Sequence, residues 1–229
     1  MLDAGGDPGR YSIWLADRGH AVAHCDLTPE PVALAREKTA EAGVAARVES
    51  RVGDGRNIPY DDAFDAVRCL GGVLSHRRRA RGGRARPRRE ARHPLAVSVI
   101  SRVGAVTFTL KQLGNAEDPE PGRSNVLAHF ARTGDYTEAV VERFDAPEGW
   151  AANHAFCVAE PEALLETAGL EPARVVALKG PTANPHDELR DAPAHVAEAA
   201  RTIAAEWRED RALADVSEHF LVVARPPDS

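Results

Sequence analysis

Cysteine is scarce in this chain. Three occur in 229 residues: Cys25, Cys69 and Cys157. They are odd in number, widely spaced and form no C-x-x-C pair, which argues against a disulfide framework and a zinc site. Cys25 and Cys69 fall inside apolar runs and are expected to be reduced core residues. The chain also lacks an apolar run long enough to span a bilayer, so no membrane partner is expected. No charged-then-apolar leader precedes its first motif. These absences predict a cytoplasmic protein. No cluster of His, Cys and carboxylates stands at ligand spacing, so no metal is expected.

Basic charge is sparse outside one place. The tract 77–93, RRRARGGRARPRREARH, holds nine of the chain's 29 basic residues, and the body around it is acidic. Basic blocks commonly meet polyanions, so an RNA- or phosphate-binding arm is one reading. No aromatic residues interleave the arginines, which ranks that reading below a local frameshift in a GC-rich gene. A solvated loop is the third.

What the chain does have is a core. With 43% apolar residues and no linker-like division, residues 1–229 read as one domain. Strand-like runs fall at 21–26, 46–52, 64–70, 95–101, 173–179 and 218–225. Helical stretches lie at 9–18, 29–42 and 161–168, with a longer one at about 193–213 carrying Val196, Ala200, Ile203 and Trp207 on one face. Pro29 and Pro161 suit first helical turns, with Thr28 and Glu160 as caps. Gly43 and Gly169 suit the matching stops. The alternation predicts an α/β fold with a mostly parallel sheet covered on both faces. Residues 104–153 break the alternation and read as an insertion, or lid, over the upper edge of the sheet, spanning about 102–155. Phe108, Phe130, Tyr136, Phe144 and Trp150 give it apolar mass. Gly104, Gly114, Gly122, Gly134 and Gly149 give it bends.

Three motifs follow the first three apolar runs. LDAGGDPG places Asp3, Gly5, Gly6 and Gly9 in a D-x-G-x-G-x-G pattern, with Asp7 at the middle glycine. Such a turn brings backbone N–H groups against a ligand at a helix start. A dinucleotide G-x-G-x-x-G fits worse, because neither Asp7 nor Arg10 is glycine. Aspartate tolerates left-handed backbone better than most residues, so the turn can survive Asp7. Asp26 ends the second run, where a carboxylate can accept both hydroxyls of a ribose. Asp54 follows Gly53, where it can accept from an exocyclic adenine amine. Alone, each acid reads as a cap or a loop residue. In this order they describe a nucleoside-type ligand lying across the carboxyl ends of a parallel sheet.

On these motifs the chain resembles the class I S-adenosylmethionine-dependent methyltransferases. LDAGGDPG matches the first motif, HCDLTPE the second and VGDGRNIP the third. FDAVRCLGGVLSH resembles the fourth-strand motif and HFLVVARPP the closing antiparallel strand. The resemblance implies a Rossmann-like, doubly wound sheet of seven strands. Its last strand is antiparallel and inserts between those at 95–101 and 173–179. It implies S-adenosylmethionine as cofactor. Gly5, Gly6 and Gly9 would line the methionine part, Asp26 with Leu27 would hold the ribose, and Asp54 with Gly55 would meet the adenine. Leu70 and Gly71 would close the floor, while Asp3 orients the loop or reaches the cofactor's amino group through water.

The wording DRGH…CDLT is shared with tRNA carboxymethoxyuridine methyltransferases and with many small-molecule enzymes. The expected acceptor is a small molecule. The alternatives are an RNA-modifying enzyme using the 77–93 tract and an inactive remnant. Family members carry a helix before the first strand, of which only Met1-Leu2 remains here. That predicts either a mis-assigned start or a truncation. His76, after the fourth strand, is the candidate general base, with a packed or capping loop histidine as the competing reading. His129 and His154 read as surface residues.

Overall fold

The run 22–26 is buried at four of its five positions, as a strand covered on both faces must be. It is β2 (Val22–Asp26), and it pairs in parallel with β1 (Leu2–Ala4) on one side and β3 (Val48–Val52) on the other. The computed structural model describes residues 1–54, 64–76, 93–116, 120–147, 149–182, 189 and 191–227. The strands β4 (Val67–Cys69), β5 (Leu95–Ile100), β8 (Glu171–Ala177) and β9 (His219–Arg225) complete one sheet in the order β3-β2-β1-β4-β5-β9-β8. Only β9 runs against its neighbours, and it lies between β5 and β8 as expected. The sheet is the Rossmann-like arrangement with an antiparallel last strand. The basic tract lies outside the described residues except for His93.

Helices cover both faces. α1 (Arg10–Asp17) and α2 (Pro29–Glu41) follow β1 and β2. α2 starts on Pro29 and buries Val32, Ala35 and Thr39 along one stripe. Thr28 occupies its cap position without a side-chain bond. Gly43 and Gly169 take the left-handed conformation that stops a helix. α6 (Ala159–Thr167) begins two residues before Pro161. Glu160 therefore lies in its first turn rather than at its cap, and its carboxylate accepts from the Cys157 N–H at 2.7 Å. In β9 the alternate residues Phe220, Val222 and Ala224 are fully buried and pack with Val97, Val99, Phe156 and Leu165. Cys25 is buried and Cys69 half-buried.

Two elements differ from the sequence reading. The helix expected at 193–213 is broken into α7 (Ala194–Trp207) and α8 (Arg211–Ala214), because Asp210 accepts from the Ala212 N–H at 2.9 Å and caps a new turn. Among the described residues, the segment read as a glycine-bent insertion holds three helices: α3 (Arg102–Gly114), α4 (Pro121–Thr133) and α5 (Glu138–Arg143). A two-stranded ladder, β6 (Asp135–Tyr136) with β7 (Asn153–His154), ties it down. Gly104 and Gly122 serve close approach rather than bending, since a Cβ at either would stand within 2.2 and 2.6 Å of a main-chain oxygen. Val126, Leu127, Phe130, Tyr136 and Val141 give this lid a core of its own.

Candidate active site

The carboxyl ends of β1 to β4 meet at one edge of the sheet, and the residues expected to bind a ligand gather there. Between β1 and α1 the chain turns through residues 5–9. A Cβ on Gly5 would stand 2.2 Å from Val73 Cγ2, and one on Gly6 would stand 2.3 Å from the His24 ring and 2.9 Å from Asp3 Oδ2. Packing alone therefore demands glycine at both positions. The Gly5 and Gly6 N–H groups donate to the Cys25 carbonyl at 2.8 and 3.2 Å. They face back into β2, which corrects the expectation that the N–H groups of these two glycines are turned against a ligand. The free donors are instead in the first turn of α1, which no side chain caps.

Asp7 has a φ of 50°, the left-handed conformation that aspartate tolerates. Its N–H then reaches Asp26 Oδ2 at 3.1 Å, while the Thr28 N–H reaches Oδ1 at 3.0 Å. The His24 Nε2–H donates to the Asp7 carbonyl at 2.9 Å and anchors the turn from below. Asp26 is thus oriented at both oxygens, and each oxygen keeps a second lone pair for a ligand hydroxyl. Leu27 beside it is exposed. The Gly53 N–H donates to the Asp26 carbonyl at 2.8 Å, which sets half-buried Asp54 near the same edge. Gly55 lies outside the described residues.

Asp3 is fully buried and faces α1. Ser12 Oγ donates to its Oδ2 at 2.6 Å, and Arg68 Nε lies 3.4 Å from its Oδ1. The Arg68 guanidinium lies 3.9 Å from the centre of the Tyr11 ring. Burial lowers the Arg68 pKa, and Asp3 opposes that shift. Asp3 therefore clamps β1, β4 and α1 together beneath the turn.

The chain leaves β4 through Leu70, half-buried, and exposed Gly71 into the 71–76 turn. Two buried serines hold this turn. The Gly71 N–H donates to Ser98 Oγ at 3.0 Å, and the Ile100 N–H donates to Ser75 Oγ at 2.9 Å. The turn divides the site. On one side is the cradle just described. On the other is a cavity of about 450 Å³ lined by His76, Ile100, Ala105, Phe108, Phe130, Trp150, Asn153, Glu218 and His219, among others. An adjoining hollow of about 340 Å³ shares Phe108, Phe130 and Trp150.

His219 is the residue that sequence reasoning missed. β9 is antiparallel, so its first residue sits at the edge where the other strands end, opposite Ile100. The signal was its place at the head of HFLVVARPP. Burial pushes its pKa down; Glu218 opposes this, while Lys179 and His76 add to it. His154 corrects another expectation. It is largely buried rather than on the surface, with Nδ1 2.6 Å from Asp135 Oδ1 and its ring edge-on to Phe156. His129 is half-buried, 6.1 Å from the Phe144 ring.

Residues 1–85 match the family model described as a methyltransferase domain. Solved structures share the fold over nearly the whole chain. A methyltransferase from Methanosarcina mazei is 17% identical, with a TM-score of 0.58 over 98% of this chain and 91% of its own. The geranyl diphosphate C-methyltransferase of Streptomyces coelicolor, solved with S-adenosylhomocysteine, is 15% identical, with a TM-score of 0.55 over 98% and 72%. The [4+2]-cyclase SpnF is 17% identical, with a TM-score of 0.55 over 100% and 75%. At such identities the structures speak for the fold, and the family match is confined to residues 1–85. The chain therefore carries a methyltransferase-domain match over residues 1–85 and shares over nearly its whole length the fold of S-adenosylmethionine-dependent methyltransferases.

Proposed function

We propose that this protein transfers a methyl group from S-adenosylmethionine to a small-molecule acceptor held in the cavity beyond the 71–76 turn. The observation that carries the reading is the adjacency of two unlike spaces at one sheet edge. One is a polar cradle ending in an oriented carboxylate, and the other is a mostly apolar cavity flanked by two imidazoles. The cradle fits the cofactor on its own terms. Asp26 keeps acceptor capacity on both oxygens for a ribose, and the uncapped first turn of α1 faces outward for a carboxylate.

In this reading Gly5, Gly6 and Gly9 let the turn close down on β2 and α2, and Asp3 fixes it through Ser12 and Arg68. Asp54 accepts from the adenine amine, and Leu70 with Gly71 forms the floor. The bound cofactor supplies an activated methyl group on a sulfonium. The protein then has to align the acceptor and exclude water, and holding reactants in near-attack geometry supplies roughly 7–11 kcal/mol of barrier reduction. His76 stands at the cavity on the acceptor side, placed to exchange a proton. The small-molecule assignment draws on the mostly apolar cavity and on likeness to an enzyme named for geranyl diphosphate. Isothermal titration with S-adenosylmethionine and with S-adenosylhomocysteine tests the reading. Saturable one-to-one binding of both supports it, and absence of binding identifies an inactive remnant.

A further inference from the structure

We infer that His219 is the proton acceptor for a compact, uncharged acceptor whose nucleophile is a phenol- or enol-type hydroxyl, seated against Ile100, Phe108, Phe130 and Trp150. The inference rests on the methyl-transfer reading above and names its substrate class and base.

The lining decides the charge of the acceptor. None of the described residues lining the cavity is lysine or arginine, and Phe108, Phe130 and Trp150 give it apolar walls, which favours an uncharged molecule over a phosphate or carboxylate. Glu218 reaches the cavity, but its carboxylate is paired with the Lys179 ammonium, so a cationic amine finds no spare anion. A neutral molecule remains, and the aromatic walls favour a flat one.

The chemistry of His219 decides the nucleophile. Its ring is half-buried at the cavity, and among the described residues nothing hydrogen-bonds to it. The charged and titratable groups around it are Glu218, Lys179 and His76, and the balance with burial lowers its pKa. It therefore stands neutral near pH 7, in the state that accepts a proton. Proton transfer is efficient when donor and acceptor pKa values are close. The gap from an imidazole to a phenol, at about 10, is much smaller than the gap to an aliphatic alcohol, so a phenol or enol is the nucleophile that such a base serves. Overall, the O–H and S–CH3 bonds break and the O–CH3 bond forms. The S–CH3 electron pair stays on sulfur, and the proton goes to the imidazole. His76 is exposed at the mouth of the same cavity and gives that proton a route to water. His219 is thus the inner base and His76 the outer relay.

The test uses 4-nitrophenol, whose phenolate is coloured, titrated into the full chain saturated with S-adenosylhomocysteine. The probe is expected to bind, and exchange of S-adenosylhomocysteine for S-adenosylmethionine is expected to methylate it, read as loss of the phenolate colour. His219→Gln and His219→Asn should bind the probe but lose about tenfold or more in methylation rate while S-adenosylhomocysteine affinity is unchanged, and Trp150→Ala should abolish probe binding. A probe that does not bind, that wild type does not methylate, or that wild type and both His219 variants methylate equally, overturns the inference and leaves the cofactor reading standing. Failure of the wild type to bind S-adenosylhomocysteine overturns the reading beneath it as well.

Discussion

The two walls of the cleft are made of different materials. The wall proposed for the cofactor is backbone held by one carbonyl and one carboxylate. The Cys25 carbonyl takes two loop N–H groups, Asp26 takes two more, and beneath them a buried Asp3–Arg68 pair locks three elements together. The acceptor wall is side chains on a lid with a separate core. Phe130 is buried there, but Trp150, against Phe130 and Tyr136, is 43% exposed. A wall of main-chain hydrogen bonds is shaped before any ligand arrives. A wall of apolar side chains can be altered one residue at a time without disturbing the other. The proposed reading puts the cofactor on the part that sequence change cannot easily deform, and the acceptor on the part it can.

The comparison breaks if damage to one wall spreads to the other. The largest effects are expected inside each wall. Arg68→Leu leaves Asp3 buried without its cation, which should cost about 3–5 kcal/mol of stability. Phe130→Ala should cost a similar amount, about 3–5 kcal/mol, through a cavity in the lid core. Urea denaturation measures both losses. Calorimetry separates the walls, because only Arg68→Leu should also weaken S-adenosylhomocysteine binding. Next comes Asp26→Ala. A hydrogen bond to a charged group is worth roughly 1.5–3 kcal/mol, so S-adenosylmethionine affinity should fall about tenfold or more. Asp54→Ala should lose less, with one amine contact at stake, and equal losses would sink the division of labour between them. Gly6→Ala drives a methyl group into the His24 ring and should cost about 1–3 kcal/mol by thermal melt.

The smallest effect is a pH dependence. The folded-state pKa of His219 is depressed, so its stabilising contribution is present above the unfolded value of about 6.5 and is lost as pH falls below it. His219→Gln should therefore flatten the acid limb of a stability–pH profile. An unchanged limb would mean that the imidazole does not favour its neutral form.

The geometry of the wall proposed for the cofactor is legible in the sequence because its requirements are local. A buried run, a glycine turn and a terminal acid fall in register along the chain, and the order of the sheet follows from their resemblance to one family. Asp7 was legible too, since its tolerance of positive φ is a property of the residue alone. What was hidden depends on partners distant in sequence. That Gly5 and Gly6 give their N–H groups to Cys25 cannot be read from the turn itself. His219 looked like one position in an apolar strand until antiparallel pairing brought it opposite Ile100. The lid helices were missed although their punctuation was present: Ser101 and Thr137 cap α3 and α5, Pro121 opens α4 and Gly134 closes it. Glycine content points to a bent insertion, whereas two of those glycines sit inside helices to admit a neighbouring backbone.

One experiment meets the central claim directly: a crystal structure of the S-adenosylhomocysteine complex. The account predicts both ribose hydroxyls within hydrogen-bond distance of the Asp26 carboxylate. It also predicts the adenine beside Asp54 and the sulfur turned toward the 71–76 turn, with the Phe108–Phe130–Trp150 cavity left open beyond it. A nucleoside lodged among those aromatic rings, or a ribose out of reach of Asp26, would contradict it.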